Sequence, residues 1–425
     1  MLARWKYPPF GASLAAVGSI PRLRGGSTRH CSSHGASASS ASTPQRLDQP
    51  PPNDRRRVGK GLFAEWCHNM DVFLDPRVAL VGDEDDATTA SHHRPPNGRG
   101  LFAVENLSPG DMIAVIPSTA CLQPVPALRL VVRGLVETAM PQTSSVAAPA
   151  DRRRDVQDQT DFLSDQVTAA VRSAMTSRDG MWMPSVADEE CTEWMVLAVA
   201  LAALERMSAP TTMTMTKATG GQFPGAEAFY GYIHGCLKSP GSPIAMSVKA
   251  ARAVARFVPG VQSTLKSRDD ILRRVLRDAC DATCLATLRL TSDDLDWALH
   301  AVESRANNFS FEGSSDELRP YANGANPLGS HPTLCPVFDL MNHVGPGNTN
   351  VIVADGLVKG GGTSTGVPTA GAVIGSLPSI VIGVLVPIAA GKEIGYEYNV
   401  PRRQEQGHLQ IDVAACLTRW GFTPN

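Results

Sequence analysis

The sequence predicts an α+β fold. Strand-like stretches open and close the folded part of the chain, a long block of helical periodicity lies between them, and Gly, Pro and Asn clusters bound the strands. At 425 residues, 43% hydrophobic and 19% charged, the chain suits one globular domain with large insertions or two modest ones. Its net charge of -2 offers no general attraction to nucleic acid or acidic membranes. No run of about 18 apolar residues interrupts it, so no membrane span is expected.

The elements follow in order. Met1 to Leu47 contains no acidic residue, while Arg4, Lys6, Arg22, Arg24, Arg29 and Arg46 accompany a Ser/Ala-rich run at Cys31–Thr43. That composition suits a mitochondrial transit peptide within a disordered leader, residues 1–57; without an address the protein would be cytoplasmic or nuclear. In Gly61–Leu80, Leu62, Phe63, Trp66 and Met70 share roughly one helical face. GRGLFAVENLSPGDMIAVIP then reads as strand, Gly turn and strand, ending at Pro117. Val132–Ala187 turns to Ser, Thr, Ala, Asp and Arg without sustained period, and reads as loop or weak helix.

Helical signal returns at Cys191–Met207, where Trp194, Leu197, Leu201 and Leu204 recur at helical spacing. Thr211–Pro224 is polar. Val248–Phe257, Arg268–Leu288 and Ser292–Asn307 read as helices, the last started by Thr291 and Ser292. Strands are expected at Leu334–Leu340, Val351–Val353, Ile380–Val386 and Glu393–Tyr398. VENLSPGDMI (Val104–Ile113) and LVPIAAGKEI (Leu385–Ile394) echo each other weakly, as turn chemistry alone allows.

Nine cysteines are scattered without CxxC spacing, which argues against a disulfide framework and a zinc site and suits a reducing compartment. Cys280 and Cys284 would share a helix face, where buried apolar thiols are the simpler reading than half a metal site. No metal is expected.

Five motifs remain. NGRGL (Asn97–Leu101) suits either a turn before a strand or close backbone approach to a small ligand. WALHAVESRANNF (Trp297–Phe309) ends a helix in Ser304 and Arg305, where a guanidinium can cap carbonyls or fork a carboxylate. PVFDLMNH (Pro336–His343) delivers Asp339, Asn342 and His343 together, either as a turn or as a site. GKEIGYEY (Gly391–Tyr398) and LTRWGFTPN (Leu417–Asn425) place a tyrosine and a Trp-Gly-Phe corner near the chain's end.

The ordered series xGxGL, WAxxxVxSRxxxF, PxxDxxNH, GKExxxxY and WGF resembles the SET domain of the Rubisco large-subunit methyltransferase family, over Gly61–Asn425. FYGYIHGCLKSPGSP (Phe229–Pro243) is similar to a further segment of that family. The resemblance implies a SET fold of short β-sheets with a C-terminal pseudoknot and an inserted helical subdomain. It divides the chain into an N-terminal SET half (58–130), a low-complexity insertion (131–190), the helical subdomain (191–296) and a C-terminal SET half with the cofactor and catalytic motifs (297–425).

It further implies S-adenosylmethionine as cofactor and a lysine of a non-histone protein as target. Arg99, Gly100 and Leu101 would hold the methionine end, Arg305 the carboxylate, Asn342 the amino group and the His343 main chain the adenine edge. Tyr398 matches the catalytic tyrosine; Asp339, Trp420 and Phe422 match positions near the target side chain. A lysine, with a reference pKa of about 10.4, must lose its proton first, which desolvation in an aromatic channel favours.

The chain departs from the family's pattern after Tyr398, in NVPRRQEQGHLQ, has Trp420 where tyrosine is usual, and ends at Asn425, where the family continues into a helical substrate domain. A catalytically weak or inactive binding module and a histidine-directed methyltransferase are the alternative expectations.

Overall fold

The computed structural model describes residues 62–81, 100–139, 149–176, 188–208, 225–238, 252–253, 257–258, 260–309, 331–344, 348–357, 378–396, 402–405, 408–411 and 416. The leader at 1–57, Thr211–Pro224 and most of Val248–Phe257 lie outside them. The larger helices are α1 (Leu62–Asn69), α2 (Pro124–Ala139), α3 (Pro149–Met175), α4 (Asp188–Ser208), α5 (Val261–Val275) and α6 (Ser292–Arg305). The strands are β1 (Phe73–Leu74), β2 (Val78–Val81), β3 (Gly100–Ala103), β4 (Met112–Pro117), β5 (Asn307–Phe309), β6 (His331–Thr333), β7 (Asn342–His343), β8 (Val351–Leu357), β9 (Pro378–Val384), β10 (Glu393–Tyr396), β11 (Arg402–Glu405) and β12 (His408–Ile411). Helices and strands are thus both present, as α+β requires. No helix among the described residues is long and apolar enough to cross a membrane.

Successive strands β3 and β4 flank the SPGD turn but do not form a hairpin. Each pairs with a strand from the far end of the chain: the sheets run β1-β4-β9-β8 and β2-β3-β10-β7, with two further pairs, β5-β6 and β11-β12. The two echoing segments explain this exchange. Leu107 and Ile388 swap both backbone hydrogen bonds, at 2.8 and 3.0 Å. Gly110 N donates to Val384 O (2.9 Å) as Gly391 N donates to Ala103 O (2.7 Å), and Val384 N to Asp111 O (2.8 Å) as Ala103 N to Lys392 O (2.9 Å). Equivalent positions therefore meet across a local twofold axis. Gly110 (φ 90°) and Gly391 (φ 78°) occupy the same place in their turns, in a conformation that glycine adopts without steric cost.

The helical layer centres on α4. The helix packs against α2, α3, α6 and β6, and every residue from Trp194 to Leu204 is buried, so it is apolar all round rather than amphipathic. The stretch expected as loop or weak helix instead contains the end of α2 and the whole of α3. The buried face of α3 runs Val156, Thr160, Ser164, Val167, Val171, Ala174. Two hydroxyls break its apolar pattern, and Thr160 Oγ1 finds its partner locally on Val156 O at 2.7 Å. Helical spacing was therefore present but masked by polar residues.

Other boundaries moved for identifiable reasons. Helix α6 starts where expected, with Thr291 and Asp294 forming a reciprocal capping box, and it stops at Arg305 because Asn307–Phe309 joins β6. Arg268–Leu288 is not one helix: α5 ends in a wide turn at Leu276–Cys280 and a tight one follows at Cys284–Leu288. Cys280 and Cys284 therefore do not share a continuous helix face. Burial pushes the Cys280 thiol up to about 12 and raises that of Cys284. Leu334–Leu340 is likewise not a strand. A single bridge to Leu122 is followed by Val337 at φ 72° and a tight turn at Phe338–Leu340.

Candidate functional site

Strand β10 brings the separated motifs together. On one side it runs antiparallel to β3, with Ile394 opposite Leu101 and Glu393 opposite Phe102; on the other it runs parallel to β7, with Gly395 beside Asn342 and Tyr396 beside His343. Gly100, Leu101, Asn342 and His343, expected as one binding group, are thus neighbours. Arg99, Tyr398, Trp420 and Phe422 lie outside the described residues.

At the junction Asn342 Nδ2 donates to Glu393 Oε1 at 2.6 Å, directly over Gly100. A methyl group on Gly100 would stand 2.8 Å from that nitrogen and 3.0 Å from that oxygen. A larger residue there would have to displace the amide or the carboxylate, so the glycine leaves room for their hydrogen bond. The sequence offers the glycine and the asparagine as candidates. It does not single out Glu393, because only the pairing of β10 shows what its side chain reaches.

Just before β7 lies a second, buried group. Both carboxylate oxygens of Asp339 are engaged: the Tyr232 hydroxyl donates to one and the Cys335 backbone N–H, at 3.3 Å, to the other. Arg305, at the end of α6, donates from one terminal nitrogen to Asp339 O at 2.7 Å. Three elements thus clamp one corner: the turn carrying Asp339, helix α6 and the irregular helical segment Ala226–Leu237. Burial pushes the Asp339 carboxyl up to about 7, against the opposing pull of Tyr232, Arg305 and the Cys335 N–H. Burial, then the neighbouring Asp339, holds the Tyr232 phenol well above its ordinary value. Asp339 is thus fixed inside the fold with its oxygens occupied. Tyr232 sits in the FYGYIHGC segment, and nothing in the sequence pairs it with Asp339.

An aromatic cluster borders this corner. Phe338 stacks obliquely on Tyr396 (ring centroids 4.5 Å apart) and edge-on to Phe309 (5.7 Å), while the Tyr396 hydroxyl donates to Asn307 Oδ1 at 3.0 Å. Tyr396 joins β10 to β5, and so links GKEIGYEY to the residues that follow Arg305.

No known protein family and no curated protein matches the sequence. Among solved structures, the chain is similar to the SET domain of LSMT bound to lysine and AdoHcy, at 14% identity and a TM-score of 0.44, covering 88% of this chain and 58% of that one. It is also similar to Rubisco LSMT bound to AdoMet, at 13% identity and a TM-score of 0.41, covering 85% of this chain and 55% of that one. The chain therefore spans less than two thirds of the structures it matches.

Proposed function

We propose that the chain is an S-adenosylmethionine-dependent protein methyltransferase acting on a lysine side chain of a non-histone protein. One observation carries this reading: β10 gathers Gly100, Asn342 and Glu393, members of three distant motifs, into mutual contact. The donor set suits the cofactor. Arg305 offers guanidinium donors for a carboxylate, while the Asn342 amide oxygen, with the Glu393 carboxylate behind the amide, offers an acceptor for a cationic group. Backbone groups of Arg99 and Leu101 would complete the hold on the methionine end, and the His343 main chain the hold on adenine. When bound, S-adenosylmethionine supplies a methyl group activated on a sulfonium.

The chain's residues have three tasks. Trp420 and Phe422 would surround the target amine and disfavour its charged form by excluding water. Tyr398 would align that amine, since holding reacting atoms about 3 to 3.5 Å apart supplies much of the rate. Asp339, its oxygens held by Tyr232 and Cys335, would support the pocket from behind by fixing the turn that leads to Asn342. The absence of acidic residues from Met1 to Leu47 supports a mitochondrial address.

The test is incubation of the protein with labelled cofactor and a mitochondrial extract, followed by mass spectrometry of the labelled band. Trimethylated, dimethylated or monomethylated lysine is the expected product; absence of label despite cofactor binding would refute the enzymatic reading. Tyr398→Phe is expected to cut transfer by at least about tenfold with cofactor affinity nearly intact, because only a transition-state contact is removed. Unchanged turnover would remove Tyr398 from the mechanism.

A further inference from the structure

An asparagine side chain has a donor end and an acceptor end of nearly the same shape, so its orientation must be set by a neighbour. At Asn342 the neighbour is Glu393. A carboxylate presents only lone pairs, so Nδ2 must face Glu393 Oε1, as it does at 2.6 Å, and Oδ1 is turned to the opposite edge of the amide. The reverse orientation would press two oxygens together. Gly100 allows the arrangement by contributing no side chain where the amide and carboxylate meet. Glu393 itself is held by its strand, with Phe102 on β3 opposite it and Asn350 Nδ2 bonded to its carbonyl at 2.9 Å.

We infer that Glu393 is a positioning residue that fixes the Asn342 amide with its carbonyl oxygen presented to the primary ammonium group of the bound ligand. The inference rests on the S-adenosylmethionine reading and deepens it. Selectivity for a ligand bearing an amino-acid ammonium over the same thionucleoside without one resides in the Asn342–Glu393 pair. The carboxylate behind the amide adds negative potential that favours the cationic ligand further.

Calorimetric titration of the full chain with S-adenosylhomocysteine and with 5′-methylthioadenosine, which lacks the amino-acid part, separates the possibilities. Glu393→Ala should weaken S-adenosylhomocysteine by about tenfold, the loss of one well-placed hydrogen bond, and leave methylthioadenosine within about twofold. Asn342→Ala should behave alike, and the double variant should be no worse than the poorer single one, since the two residues act as a unit. Glu393→Gln keeps a carbonyl oxygen that can accept from Nδ2, and should retain most of the affinity. Equal weakening of both ligands by Glu393→Ala would reduce Glu393 to a structural role. Weakening by Asn342→Ala alone would also overturn its positioning role. If the unmodified chain binds neither ligand, the S-adenosylmethionine reading falls and takes the inference with it; binding of S-adenosylhomocysteine with an unaffected Glu393 variant sinks the inference alone.

Discussion

The helical layer and the strand layer both contain polar groups packed among apolar ones, but they satisfy them in different ways. In the helices, Arg268 is 1% exposed and donates to Glu303 Oε2 at 2.8 Å, His300 Nδ1 at 2.9 Å and Asp296 O at 3.0 Å. A guanidinium only donates, so His300 Nδ1 accepts and the ring is neutral. Burial and the charges of Arg268 and Arg252 hold its pKa well below the ordinary value. These charges answer one another between α5 and α6. The strand layer instead gathers Gly100, Asn342 and Glu393 at a partly open junction of three motifs. Burial and electrostatic perturbation therefore mark the Arg268–His300 cluster and the Asp339 corner alike, whereas convergence of distant motifs distinguishes the Gly100–Asn342–Glu393 junction.

That contrast can be broken by mutation. The largest effect is expected from Arg268→Met, which removes the buried cation facing Glu303 and should cost about 3–5 kcal/mol in denaturant unfolding. Adding Glu303→Leu should recover much of the loss; a loss below about 1 kcal/mol for Arg268→Met would show that the pair is not structural. Next, Gly100→Ala forces a methyl against the Asn342 amide and should cost about 1–3 kcal/mol through overpacking. Unlike Arg268→Met, it should on the proposed function also weaken S-adenosylhomocysteine binding directly, which calorimetry on the folded variant would reveal.

Acid should sharpen the comparison, because the two layers respond to it with opposite sign. Asp339 is pushed up to about 7 from its ordinary 3.8, so its contribution to stability is full below the ordinary value and is lost as pH rises through about 7. The slope is at most about 1.4 kcal/mol per pH unit. His300 is lowered, so its contribution is present above 6.5 and is lost as pH falls through its depressed value. Unfolding at about pH 5 and about pH 7 should show the wild-type chain gaining on Asp339→Asn toward acid. A constant difference between the two would exclude titration of Asp339 in that interval. The smallest effect belongs to Tyr232→Phe, about 1 kcal/mol, with the Asp339 carboxyl moving higher still because the hydroxyl that favours its charged form is gone.

Local chemistry made part of this architecture legible from the sequence. Thr291 announced the start of α6 because a capping box is a short-range device, and Phe63 and Trp66 announced the buried face of α1 by spacing alone. Gly100, Arg305, Asp339 and Asn342 were legible as members of an ordered motif series. What each side chain touches was not. Glu393 reaches Asn342 only because β10 lies between β3 and β7, and Tyr232 meets Asp339 across a helical segment more than a hundred positions away. Such pairings depend on tertiary closure, which no window of sequence contains. The helix α3 failed for the opposite reason: its periodicity was local, but Thr160 and Ser164 stood in the apolar stripe.

The twofold exchange between the SPGD and IAAGK turns also governs how the chain can acquire its structure. Strands β3 and β4 are synthesised early, yet their hydrogen-bonding partners β10 and β9 emerge only after the whole helical layer. Both central sheets must therefore wait for the last part of the chain. During that interval β3 and β4 present unpaired edges, the kind of surface on which nascent proteins associate wrongly. Loop closure over so long a separation is expected to make completion of these sheets slower than formation of the locally connected helices.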